Sequence, residues 1–301
     1  MGYNFDSGQE TMQNRLRKPA FGLLGVLIIS LATDAAAQLD VRYEPSNPAV
    51  VTEMLTMAAV TERDVLYDLG CGDGRIVITA ASLYGVRGIG IDLDPVRIAE
   101  SNENARKAGV TGSVRFIEQN LFDAEIANAT VVALFLWPSV NLKLRPKLFA
   151  DLAPGTRIVS HEHDMGDWLP DRTSVVEDDY TSHVVYLWIL PANVSGTWEW
   201  MESAIGGKRT YRLKIAQQYQ RITGSLTGEN GPIPVSEMML SGDRLRIIVE
   251  EDTVSGKSVR LLDGIVTGNT ISGNEMTKTP SGLRVRPWKI VRDPSTAVPL
   301  E

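Results

Sequence analysis

A chain of 301 residues with 43% hydrophobic side chains is long enough for two packed cores. Its 37 acidic against 30 basic residues leave a net charge of −7, which argues against a general nucleic-acid binder because phosphate neutralisation needs a basic face. A single cysteine, Cys71, excludes an intramolecular disulfide framework.

Residues 1–37 read as a targeting segment. Arg15, Arg17 and Lys18 form a basic stretch, Pro19 to Thr33 is uncharged and mostly apolar, and Ala35-Ala36-Ala37 offers a small-residue cleavage site before Gln38. The apolar run is short for a membrane span. Export to the periplasmic side is the leading expectation. An uncleaved anchor with membrane association, or a cytoplasmic protein in which the segment is unused, are the alternatives.

The next elements alternate. Val41 to Pro48 is extended, and Ala49 to Ala59 carries helical periodicity. Strands are predicted at Val65–Asp68, Val86–Asp92, Ser113–Glu118, Val131–Leu136 and Arg157–Ser160. Helices are predicted at Ile76–Tyr84, from Asp94-Pro95 to Gly109, and over part of Asn141–Leu152, where Pro146 limits or kinks the helix. Val175–Glu177 and Val184–Leu190 read as an antiparallel hairpin closing the sheet. Strands alternating with helices imply an α/β Rossmann-like, mostly parallel, doubly wound sheet over 38–192.

The pattern changes after Pro191. Short alternating stretches at Thr210–Ala216, Tyr219–Leu226, Arg244–Val249, Ser258–Val266 and Leu283–Ile290 are separated by turns at Gly206-Gly207, Gly228–Gly231, Ser241-Gly242-Asp243, Gly268-Asn269 and Ser281-Gly282. A small all-β barrel or sandwich of about eight strands over 193–301 is expected. Its opening Gly196-Thr197-Trp198 resembles the first strand of lipocalin-like barrels.

The chemistry centres on Asp68-Leu69-Gly70-Cys71-Gly72-Asp73-Gly74, set between a strand and a helix, and on Gly88-Ile89-Gly90-Ile91-Asp92. Glycines in a strand-to-helix turn let a ligand approach the backbone. A carboxylate ending the second strand, here Asp92, accepts hydrogen bonds from ribose hydroxyls in nucleotide-binding α/β folds. The alternate spacing of Gly70, Gly72 and Gly74 differs from the dinucleotide fingerprint and resembles motif I of class I S-adenosylmethionine (SAM) methyltransferases.

From Tyr43 to Trp168 the chain is similar to bacterial relatives of the mitochondrial ATP-synthase c-subunit lysine methyltransferase. The resemblance rests on Tyr43-Glu44-Pro45-Ser46-Asn47-Pro48, Val51–Leu55, Tyr67–Val77, Leu136-Trp137-Pro138 and Leu144–Leu148. It implies SAM as cofactor and a lysine side chain of a protein as substrate. It also implies Asp68, Gly70, Cys71, Gly72 and Gly74 around the cofactor's methionine end, and Asn120 with Leu121 at the adenine, Asn120 standing where the family has Asp. Asn still accepts through its carbonyl. Trp137 and Pro138 stand where amine methyltransferases place an aromatic/proline motif beside the transferred methyl.

His161-Glu162-His163-Asp164 follows the fifth strand, where the substrate pocket of this fold opens. In a strand or at its end His161 and His163 would share one face, flanked by carboxylates, and a metal reading, substrate contact or proton acceptance, and a structural role are all open. Methyl transfer needs no metal, so none is expected. A small-molecule methyltransferase, or an exported non-catalytic binding protein that uses the β domain, remain alternatives, since fold alone does not decide function.

Mass spectrometry of the protein isolated from its host is expected to find a mature chain beginning at Gln38. Intact soluble chain beginning at Met1 or Met12 would overturn the export reading.

Overall fold

The computed structural model describes residues 44–177, 181–204, 207–253, 256–279 and 282–300. The targeting segment, its cleavage site, the start of the extended stretch at Val41, and Gly206 and Ser281 of two expected turns lie outside the described residues.

The α/β part carries strands β1 (Val65–Leu69), β2 (Arg87–Asp92), β3 (Val114–Glu118), β4 (Val131–Leu134), β5 (Arg157–His161), β6 (Arg172–Glu177) and β7 (Ser182–Ile189). Their order is β3-β2-β1-β4-β5-β7-β6, parallel through β5, with β7 antiparallel to both neighbours. Helices are α1 (Pro48–Met57), α2 (Arg75–Tyr84), α3 (Pro95–Ala108) and α4 (Pro138–Asp151). Alternation along the strands sends successive side chains to opposite faces. Leu66, Val131, Ala133 and Val159 pack with Val50, Met54, Val77, Ala80 and Ala105 of the first three helices. Tyr67, Leu69, Val132, Leu134 and Ile158 pack with Val140, Leu144 and Leu148 of α4 on the other face.

The expected N-cap of α3 is present: the Asp94 carboxylate accepts from Val96 N at 2.8 Å. Helix α4 departs from the expectation. It starts at Pro138 and runs through Pro146. Pro146 is exposed, so the carbonyl that it leaves unpaired one turn back lies on the solvent side of the helix. Strand β4 stops at Leu134, which frees Phe135 and Leu136 for the site.

The second half is a nine-stranded antiparallel sheet, one strand more than expected. It comprises β8 (Gly196–Ala204), β9 (Gly207–Gln218), β10 (Arg221–Gly228), β11 (Gly231–Ile233), β12 (Val235–Ser241), β13 (Arg244–Thr253), β14 (Gly256–Thr267), β15 (Thr270–Thr279) and β16 (Gly282–Arg292). The order β11-β10-β9-β8-β16-β15-β14-β13-β12, with β10 and β12 in contact, makes a nearly closed barrel. Trp198, Leu213, Leu245, Ile247, Leu262, Ile271, Trp288 and Ile290 fill it.

Tyr219 and Gln220 form the β9–β10 turn, although Tyr219 reads as a strand residue in the sequence. Tyr219 takes φ 54°, in the left-handed region. Its ring belongs to the core of the first half: it stacks on Trp168 and Phe149 at 5.9 Å between centroids. Gln220 accepts from Trp168 Nε1 at 2.9 Å and donates to Leu169 O at 2.6 Å. The barrel is thus packed onto the α/β sheet through a buried aromatic. Tyr219→Ala removes a ring shared by both halves and is expected to lower unfolding stability by about 3–5 kcal/mol, the range for truncating a buried aromatic. Urea denaturation checks this, and a change below about 1 kcal/mol would show that the contact is incidental.

Candidate functional site

The turn from β1 into α2 forms one wall of a cavity. Gly70, Gly72 and Gly74 all take positive φ (86°, 53° and 80°). A Cβ on Gly74 would lie 2.6 Å from the Phe116 ring, and one on Gly70 would lie 2.8 Å from Leu136 Cδ2. Side chains are therefore excluded here by packing as well as by conformation. The turn is tied to the end of β2. Gly70 N and Cys71 N donate to Ile91 O at 2.8 and 2.9 Å, and Gly72 N donates to Asp92 Oδ2 at 2.8 Å. The other Asp92 oxygen accepts from Asp94 N at 3.0 Å.

The cavity has about 970 Å³ of empty space, counting its open mouth. Of the residues singled out from sequence, Asp68, Gly70, Cys71, Gly72, Asp92, Asn120 and Leu121 line it. Gly74 does not: it caps α2 and packs under the turn. Trp137, Pro138 and His161 are also outside the lining. Trp137 is 48% exposed at the start of α4 and stacks on His163 at 5.4 Å. Pro138 is exposed at the first helical position.

Sequence reasoning assigned no role to Ser46, Phe122 or Phe135, which also line the cavity. Ser46 was visible only as part of a resemblance. In the fold it is buried, and its Oγ lies 3.0 Å from His161 Nδ1. Arg75 fixes that segment: it pairs with Asp73 and donates from Nη1 to Ser46 O at 2.8 Å. Phe135 stacks on His161 at 4.0 Å and lies 6.0 Å from His163, continuing the aromatic row that begins at Trp137.

Asp68 is 1% exposed, and its Oδ2 has no hydrogen-bond partner among the described residues. Burial, reinforced by the charges of Asp92 and Asp73, pushes its carboxyl up to about 8. An orphaned buried acid in a cavity wall is a place for a cationic ligand group. Burial also pushes the Cys71 thiol up, so it stays protonated and is no nucleophile. Burial pushes His161 down to about 4, against the opposing pull of Glu162, leaving a neutral ring. Asn120 Oδ1 accepts from Phe122 N at 3.0 Å, which leaves one carbonyl lone pair for a ligand.

The profile of the ANTKMT methyltransferase domain matches residues 68–172. A protein-lysine N-methyltransferase of Saccharolobus islandicus is 45% identical over 151 residues, 50% of this chain and 94% of that protein. The ATP-synthase c-subunit lysine N-methyltransferase of Mus musculus is 32% identical over 142 residues, 47% of this chain and 57% of that protein. Among solved structures, an RNA methyltransferase from Salinibacter ruber in complex with S-adenosyl-L-homocysteine is 52% identical. It covers 48% of this chain and 93% of that one, with a TM-score of 0.46.

The Asp68 carboxyl sets a pH signature for the free protein. Its folded value lies above its unfolded one, so its contribution to stability is full below about pH 4 and is lost as pH rises toward 8. Asp68→Asn is expected to remove this loss and to gain on wild type by a few kcal/mol between pH 5 and pH 8. Denaturation curves at the two pH values check the sign. Parallel pH dependence in both proteins would show that Asp68 is ionised in the fold.

Proposed function

We propose that this chain, which belongs to the methyltransferase family of the Saccharolobus islandicus relative and uses SAM as its cofactor, methylates a lysine side chain of a protein. The observation that carries the reading is the cavity itself: an orphaned buried acid and a strand-end carboxylate on either side of a glycine turn, beside an aromatic row. The names of the lysine-specific relatives support the choice of substrate.

Bound SAM supplies a methyl group on a cationic sulfur. Asp68 Oδ2 is the partner for its amino end. Asp92 is oriented by Gly72 N and Asp94 N, which leaves lone pairs for ribose hydroxyls. Asn120 and Leu121, which line the same cavity, would meet the adenine. With that methyl supplied, the task of this chain's residues would be to position the amine and exclude water. Phe135 on the cavity wall and exposed Trp137 offer flat faces to a lysine stem. His161 reaches the cavity through Ser46 and acts as a positioning residue. Residues 38–192 carry all of this chemistry. We read 193–301 as an accessory binding domain, lipocalin-like in its barrel form, and 1–37 as an export signal. No helix among the described residues is long and apolar enough to cross a membrane.

Incubating the full chain with methyl-labelled SAM and, separately, protein and RNA extracts of its host tests the reading. Label on lysine of a protein is expected, and label in RNA alone would overturn it. Asp92→Ala is expected to weaken SAM binding by about 1–3 kcal/mol, the worth of charge-assisted hydrogen bonds, as read by calorimetry.

A further inference from the structure

A second cluster lies at the far side of Ser46. His161 ends β5, Glu162 follows it, and His183 lies on β7. Three side-chain atoms converge. His161 Nε2 is 3.1 Å from His183 Nδ1, which is 3.1 Å from Glu162 Oε1, and the third edge is 3.7 Å. The sequence suggests a different pair, His161 with His163. In the fold His163 turns toward Trp137, and the partner of His161 is instead His183, 22 residues beyond His161.

Protons satisfy this triangle poorly. If His161 Nδ1–H donates to Ser46, then Nε2 presents a lone pair. Glu162 offers only lone pairs, and one proton on His183 Nδ1 serves one of the two. If instead Ser46 donates to Nδ1 and His161 Nε2–H donates to His183, the His183 lone pair faces the carboxylate. A cation at the centre satisfies all three atoms at once. Bond lengths for zinc to imidazole and carboxylate are about 2.0–2.2 Å, which puts neighbouring ligands in a tetrahedral site about 3.3–3.6 Å apart. The three observed edges bracket that value.

The surroundings are those of a prepared site. His161 is held by Ser46 Oγ at Nδ1 and by Phe135 against its ring. The Glu162 carboxylate accepts from Val184 N at 3.3 Å. Outer partners of this kind fix the tautomer and aim of metal ligands. Glu162 also takes φ 61°, a left-handed conformation that a non-glycine residue keeps only when its surroundings enforce it.

We propose that His161 Nε2, Glu162 Oε1 and His183 Nδ1 bind one divalent transition-metal ion, zinc by the match of two imidazoles and a carboxylate to its donor preference, with solvent as fourth ligand. The ion staples the end of β5 to β7. By holding the proton of His161 on Nδ1, it makes Ser46 Oγ an acceptor on that side and sends the hydroxyl proton toward the cavity. The proposal does not depend on the methyl acceptor.

The untagged full chain, stripped with chelator and dialysed, is titrated with zinc chloride by calorimetry, and cobalt(II) is used as a spectroscopic substitute. About one zinc per chain, a melting temperature that rises with zinc, and visible bands of four-coordinate cobalt are expected. His183→Ala and Glu162→Gln are each expected to weaken zinc at least about 10-fold while SAM still binds, and His163→Ala is expected to leave zinc affinity unchanged. Should His183→Ala fail to bind SAM, Glu162→Gln, which keeps size and shape, carries the test. No stoichiometric zinc in the parent chain, or equal affinity in Glu162→Gln, overturns the site and leaves a hydrogen-bonded histidine pair.

Discussion

A buried acid near the end of the central strand, whose Oδ2 has no hydrogen-bond partner among the described residues, is the constraint around which the first half is arranged. Asp68 is buried between two layers of apolar side chains, where an ion is expensive, and its Oδ2 meets no donor among the described residues. Such a group persists only if the structure around it is over-determined. The determination comes from the glycine turn, whose N–H groups are drawn away from Asp68 toward β2: two go to Ile91 O and one to Asp92. The backbone that would otherwise neutralise the acid is committed elsewhere. The fold therefore keeps a carboxyl that is costly to ionise at the cavity wall, where a cationic ligand end would lower that cost. Binding and stability are coupled through this one carboxyl.

That part of the molecule was legible in the sequence because backbone sterics write it locally. Gly70, Gly72 and Gly74 all stand where φ is positive, a Cβ on Gly70 would meet Leu136 and one on Gly74 would meet Phe116, and Asp92 stands at a strand end. The acceptor side was not legible in the same way. Ser46 and His161 are 115 residues apart, and His161 and His183 are 22 apart. Their meeting depends on the order of strands and not on spacing, and alternation within 161–164 suggested the wrong partner. In α4, Pro146 does not end the helix, which runs on to Asp151 with the proline on the solvent face.

The barrel shows another limit. Strand β15 has no readable hydrophobic alternation, because the inward place at 275 is taken by a glutamate that is 2% exposed. Glu275 accepts from Arg260 Nε at 3.1 Å and from Arg286 Nη2 at 2.8 Å, while Arg260 also reaches Glu202 at 3.1 Å. Ionic groups thus occupy inward positions that a pattern search assigns to apolar residues. The members depend on one another, since removing one leaves a buried opposite charge with one partner fewer. Glu202 and Arg286 belong to β8 and β16, which pair by backbone only at Glu199–Val291 and Trp198–Arg292. Beyond that short stretch the ion pairs bridge the two strands side chain to side chain.

The segment 161–168 joins these separate parts. At one end it carries His161, which meets Ser46 of the cavity lining, then Glu162 and His163. At the other, Trp168 is fully buried beneath Tyr219 and hydrogen-bonded to Gln220 of the barrel. Between them, Asn141 of α4 donates to the carbonyls of His163 and Asp164, and Arg145 donates to Met165 O at 3.0 Å. The segment is held from α4 on one side and from the barrel on the other. A displacement of the β9–β10 turn would be passed through Trp168 to a stretch whose carbonyls are already engaged and which has little slack to absorb it. Among the described residues the barrel contributes none to the cavity lining, yet it buttresses the segment that carries Glu162 and His163. Its influence on the site is expected to be mechanical: it sets how firmly the segment 161–168 is held, while the glycine turn is tied to β2 by hydrogen bonds that do not involve the barrel.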